Sequence, residues 1–184
     1  MGVNTGVVAA GDSWYAVTES SKLSQGDFLD NCPVVLPPDA KILTEKPKTV
    51  DIQIASFDVV ILTQSCDLDY EKVNTVIVCP HLSLEEITKA EPQFDKAKVR
   101  EECRRGYLPG YHMLAESKQA GFERGVGIAD FHSVFALPLD FLKDFVALKP
   151  RRLQLVPPYI EHLSQAFAHF YMRVALPQDI PAFK

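Results

Sequence analysis

The chain reads as an α+β protein, mostly β, with inserted helices and a long C-terminal helix. Three observations carry that reading. IQIASFDVVILTQ and TVIVCPHL are dense in β-branched residues and lie one short polar connector apart, so they read as antiparallel neighbours. SLEEITKAEPQFDKAKVREECRRG opens with Ser83 three residues before Glu86, the spacing of a capping box. PPYIEHLSQAFAHFYMRVALP has helical periodicity, two prolines where a first turn accepts them, and Pro177 to end it.

Taken in order, residues 1–22 are Gly- and Ser-rich and are expected to be loosely held, with WYAV able to add an edge strand. Residues 23–184 are read as one domain. SQGDFLDNCPVVL is a Gly-Asp turn leading into a first strand, and PPDAKILTEKPKTVD, with three prolines, is a loop. In DVVILTQ the apolar run at 59–62 is continuous, which predicts a strand buried on both faces. DLDYEKVN is a connector, and Pro80 stops the strand at 75–82. The helical stretch after Ser83 breaks at Pro92 and ends near Gly106. Strands follow at 111–115, near 128–137 and at 151–156, with DFLKDFVAL as a short helix between the last two.

The composition narrows the function. A net charge of -5 argues against a generally basic nucleic-acid binder, so any RNA or DNA contact must use a local basic patch. No stretch reaches the roughly 18 apolar residues of a membrane span, so no membrane role is expected. The N-terminus lacks the basic start of a secretory signal, and a cytoplasmic protein is expected. The four cysteines, Cys32, Cys66, Cys79 and Cys103, form no CxxC pair, and neither a metal nor another cofactor is predicted. A zinc set of Cys66, Cys79 and His81 fails on distance. The two cysteines fall at opposite ends of the predicted hairpin, roughly 20 Å apart at ~3.3 Å per residue, whereas zinc ligands lie within about 2.3 Å of the ion.

Several groups invite chemistry. Gln64, Ser65, Cys66 and Asp67 follow a buried strand directly. Cys66 is a candidate nucleophile with a base from His81, His112, His132 or His162, although Asp67 beside it disfavours a thiolate. The same residues also make a turn, with Ser65 and Asp67 bonding to backbone N–H groups, or a polar contact for a ligand or protein partner through Gln64 and Ser65. On the last helix, His162, Gln165, His169 and Arg173 share one side, a stripe able to meet a phosphate chain or a partner's carboxylate, or simply a solvated face. Arg104, Arg105, Arg151 and Arg152 are candidates for a positive patch, with Glu101 spaced to pair with the first two. Asp130 and His132 alternate on one face of a predicted strand, as a base-orienting pair would or as a simple edge hydrogen bond would.

QGDFLDNCPVV, DVVILTQS, TVIVCPHLS and GVGIADFHSVFALPLDFL, in that order, resemble the MazF/PemK family of bacterial toxins. The resemblance spans about residues 24–140 with large insertions. It implies an SH3-like barrel with a terminal helix, and in the active members metal-free RNA cleavage. The family's Arg-Pro pair before the central strand is replaced here by Ser56-Phe57-Asp58, and a carboxylate repels the phosphate that an arginine holds. The catalytic hydroxyl of the family falls near His81 or Ser83. TQSCDL and the C-terminal helix are also similar to segments of bacterial proteins with no assigned activity. Three functions are therefore carried forward. The first is a MazF/PemK-like barrel that binds nucleic acid or a protein partner in a toxin–antitoxin or phage-defence setting, with its nuclease chemistry lost or rebuilt. The second is a cysteine enzyme using Cys66, Asp67 and His81. The third is a regulatory or scaffold module.

Overall fold

A computed structural model describes residues 14–45 and 49–172. The elements in chain order are β1 (Tyr15–Thr18), β2 (Phe28–Leu36), the single turn α1 (Ile42–Glu45), β3 (Gln53–Ile61), the short helix α2 (Ser65–Asp69) and β4 (Thr75–Ser83). They continue with α3 (Leu84–Ala90), a 3-10 turn (Pro92–Asp95), α4 (Ala97–Arg104), β5 (Tyr111–Leu114), β6 (Gly127–Asp130), β7 (Phe135–Pro138), α5 (Leu139–Leu148), β8 (Arg152–Leu155) and α6 (Tyr159–Tyr171). The class is α+β, as the sequence predicts.

Six strands join in the order β2-β3-β4-β6-β5, with β7 also paired to β4, while β1 and β8 form a separate ribbon. Every pairing is antiparallel. Among the described residues the path is open, since β5 does not return to β2. β4 is the hub: Thr75–Val78 pair with β7, Val78–Pro80 with β3, and His81–Ser83 with β6. The single strand expected near 128–137 is thus two strands separated by a turn at 131–134. Both lie along β4.

Burial follows the pleat. In β3, Val59 and Ile61 enter a core with Val34, Val76, Val78, Leu137, Leu142 and Val146, capped by α5. Val60 and the following Leu62 face the other way, into a core with Phe28, Phe131, Leu153, Leu155 and Leu163 under α6. A strand with both faces buried has no polar positions to alternate, hence the unbroken apolar run. A third cluster (Ile87, Phe94, Cys103, Ile128) lies beneath α3 and α4. The capping box at Ser83 and Glu86 forms in both directions and starts α3. The chain then breaks at the 3-10 turn, because Pro92 has no N–H to continue a helix.

The WYAV strand forms as β1, with Tyr15 buried in the second core, while residues 1–13 lie outside the described part. Trp14 stacks on Tyr159 of α6, ring centres 4.0 Å apart and planes 11° from parallel, which fixes the start of the described chain to the last helix. Along α6, Leu163 is buried and Ala166, Phe167 and Phe170 pack on the second core, leaving His162, Gln165 and His169 exposed. Arg173 and Val174 fall outside the described residues.

Candidate functional site

The stretch after β3 is a structural junction. The Thr63 hydroxyl accepts the Ile77 N–H at 2.7 Å, closing β4 where β3 has ended. Ser65 Oγ accepts the Gln25 N–H at 3.0 Å, and Gln25 Nε2 donates to the Leu62 carbonyl at 2.7 Å. Asp67 faces Lys72 at 3.7 Å. Cys66 is exposed, and the groups its Sγ approaches are Gln64 and Asp67, at 3.7 and 3.8 Å. Among the described residues no hydrogen bond joins Cys66 to a histidine. Gln64 and Asp67 line a hollow of about 820 Å³ against Phe167 and Tyr171 of α6, while His81 lies in a different one. The three residues of the cysteine-enzyme reading are not brought together.

His81 belongs to a polar pocket of about 320 Å³ at the far end of β4. Arg124 is its centre. The guanidinium donates to both oxygens of Asp30, at 3.1 and 3.3 Å, and lies 3.1 Å from His81 Nε2. It also stands 5.4 Å over the Phe28 ring. With His81 3.8 Å away and Arg124 beside it, the Asp30 carboxyl is held down at about 2, against the effect of partial burial. Asp58 has a conformational task. Asn31 sits in the left-handed region (φ 55°) where β2 slips register against β3, and Asp58 Oδ1 accepts its N–H at 2.7 Å. Asp30, Asp58 and His81 offer ligand atoms within 4.8 Å of one another, but the Arg124 guanidinium already supplies the positive charge there. Glu86 and Glu123 also line this pocket, giving four carboxylates to one arginine. A phosphate entering it meets net repulsion.

A third hollow has a character opposite to that of the His81 pocket. It is a groove of about 780 Å³ between α6 on one side and the end of α4 with β5 on the other. α6 contributes Tyr159, His162, Gln165 and His169, with Met172 just past its end; α4 and the turn after it contribute Arg104, Arg105 and Gly106; β5 contributes Tyr111, His112 and Met113; Trp14 closes one end. Among the described residues its lining holds two arginines and three histidines and no carboxylate. Arg104 and Arg105 share Glu101, which binds the first through two hydrogen bonds at 2.7 and 2.8 Å and the second at 2.6 Å. Both side chains stay more than half exposed. The predicted pairing with Glu101 and a free positive face thus coexist. His112 is held neutral: burial pushes its ring down to about 4, and His162 adds to the effect. Its Nε2 is enclosed without a hydrogen-bond partner.

The four-arginine patch divides. Arg152 is buried against Asp27, both Nε and Nη2 lying 2.8 Å from Oδ2, and it donates to the carbonyls of Ser20, Lys22 and Pro150. Arg151 stands 5.6 Å over the Phe122 ring and lines a different hollow from Arg104 and Arg105. Asp130 and His132 do meet, Oδ1 to Nδ1 at 2.9 Å, but Asp130 Oδ1 also accepts the His132 N–H, which makes the pair the closing bond of the turn after β6.

The helix stripe of His162, Gln165 and His169 was visible as a period in the sequence, and it forms one wall of the groove. Trp14, Tyr159, Tyr111 and Met113 carry no such period, because they come together only through packing of distant segments. Arg124 had no motif around it at all. No protein-family model matches the chain, and no curated protein matches it in sequence.

Proposed function

We propose that this protein binds nucleic acid without cleaving it, through the groove between α6 and the α4–β5 segment, on a MazF/PemK-like, SH3-like barrel scaffold. The observation that carries the reading is the separation of charge. In a chain of net charge -5, the larger groove is lined, among the described residues, by cationic and histidine side chains without a carboxylate, and the pocket around His81 is dominated by acids. Phosphates are drawn to cationic surfaces and repelled by acidic ones, so the groove is the favoured surface and the pocket a disfavoured one.

The scaffold reading is supported by the ordered likeness of four segments and by the antiparallel sheet organised around β4. The same resemblance supports a toxin–antitoxin or phage-defence setting. Loss of cleavage follows from two departures. Asp58 stands near the place of the family's arginine and holds the β2 bulge, and Arg124, the one arginine lining the pocket among the described residues, is engaged by Asp30.

A paired experiment tests this: one labelled RNA is assayed for retardation and for cleavage by the same pure protein. Retarded, intact RNA is expected. Products that disappear in Arg124→Ala would replace this reading with a rebuilt nuclease, and RNA neither retarded nor cut would remove it.

A further inference from the structure

We infer that the groove takes single-stranded nucleic acid, with bases stacked at the Trp14–Tyr159 wall, and that stacking supplies most of the affinity. This rests on the binding function proposed above and names the form of nucleic acid that satisfies it.

The charge count sets the first limit. Arg104 and Arg105 share the Glu101 carboxylate, so together they present a net single positive charge to a ligand. Few phosphates can be neutralised this way. Each contact on a single strand contributes a salt slope of about -0.7. A duplex offers one charge per roughly 1.7 Å of axis and hides its base faces in the stack. It therefore asks for a broad basic surface, and it gives aromatic side chains nothing to cover. An acidic chain whose groove, among the described residues, presents so little net positive charge is badly matched to it.

A single strand reverses those demands. Its bases have free faces, and stacking on aromatic rings tolerates any sequence. Trp14 and Tyr159 are stacked and only half-buried, and Tyr159 meets the His162 ring edge-on at 5.9 Å, so three rings run along one side of the groove. Met113 of β5 and Arg104 and Arg105 at the end of α4 face the same space. At about 780 Å³ the groove is in the size range of pockets that enclose a small organic ligand, room for a few nucleotides rather than a helix.

Trp14 is the sole tryptophan of the chain, so its emission reports on the groove alone. The full-length protein is titrated with a single-stranded RNA of about ten nucleotides, an abasic strand of equal length and a duplex of equal length, reading Trp14 fluorescence and the anisotropy of labelled probes. The single strand is expected to quench Trp14 saturably and to bind at least tenfold more tightly than the abasic strand or the duplex. Its salt slope is expected to be no steeper than about -2. Trp14→Ala, followed by anisotropy, is expected to weaken binding about tenfold, a larger loss than Arg104→Gln. Equal binding of the abasic strand or the duplex, or binding without quenching, overturns the inference while leaving nucleic-acid binding in place. Failure of all three probes to bind overturns the proposed function and the inference together.

Discussion

Arg152 and Asp27 form an enclosed ion pair between β8 and the turn before β2, with guanidinium and carboxylate nitrogen–oxygen distances of 2.8 Å. Asp27 is fully buried, and its remaining oxygen accepts from Gln154 Nε2 at 2.9 Å, while the Ser24 N–H donates to Oδ2 at the same distance. Removing one partner strands the other charge in the interior. Asp27→Ala is therefore expected to cost about 3–5 kcal/mol, read as a fall in the denaturant midpoint. Arg152 accordingly lies outside the proposed binding groove. A stable Asp27→Ala protein would contradict the structural role given to the pair.

Gly26 lies within that turn with φ +83°, and a Cβ there would meet Leu155 Cβ at 3.0 Å. Gly26→Ala adds left-handed strain to a close contact, so a loss of at least about 1 kcal/mol is expected in thermal unfolding. An unchanged melting temperature would count against the described packing of β8.

Thiol reactivity should single out Cys66. Burial pushes Cys32 and Cys103 up to about 11 and raises Cys79 well above the ordinary thiol range, while Cys66 is exposed. A disulfide reagent at pH 8 is expected to modify one thiol in the native protein and four after unfolding. Cys66→Ser is expected to remove the native signal and to leave RNA binding unchanged. A Cys66→Ser protein that no longer bound RNA would bring the TQSCDL turn back into the functional site.

Acid should weaken the fold in two steps. The folded pKa of His112, about 4, lies below its unfolded value near 6.5. The unfolded chain thus holds the extra proton in between, and stability falls as pH drops from about 6.5 to 4. Asp30, held at about 2 against an unfolded value near 3.9, contributes stability above that range that is lost as pH falls toward 2. His112→Phe, which fills the site and removes an unpartnered nitrogen, is expected to flatten the first step only. Asp30→Asn is expected to reduce the second, to which Glu101, also held at about 2 by Arg104 and Arg105, contributes. Chemical denaturation from pH 7 to 2 checks both, and a first step unchanged in His112→Phe would reassign it.

What could be read from the sequence was whatever a local pattern encodes. The unbroken run at 59–62 marked a two-sided strand, Ser83 with Glu86 marked a helix start, and the spacing in PPYIEHLSQAFAHFY separated Leu163 from His162 and Gln165. The turn between β6 and β7 was hidden because Phe131 stays buried there and keeps the segment apolar. The groove was half visible for the same reason. One wall is a single helix and has a period, whereas Trp14 comes from a segment about 145 residues before Tyr159 and has none. Arg152 was misplaced because adjacency to Arg151 says nothing about which of the two points inward. The fate of Asp58 depended on the left-handed Asn31, a backbone feature with no composition signal of its own.

The most direct test of the account is to map the contact. Backbone amide shifts of the labelled protein, followed during titration with a ten-nucleotide single-stranded RNA, are predicted to move at Arg104–Met113, at Tyr159–Met172 and at Trp14, and to stay in place at Asp30, His81 and Arg124. Shifts confined to the Asp30–His81–Arg124 pocket, or none at saturating RNA, would contradict it.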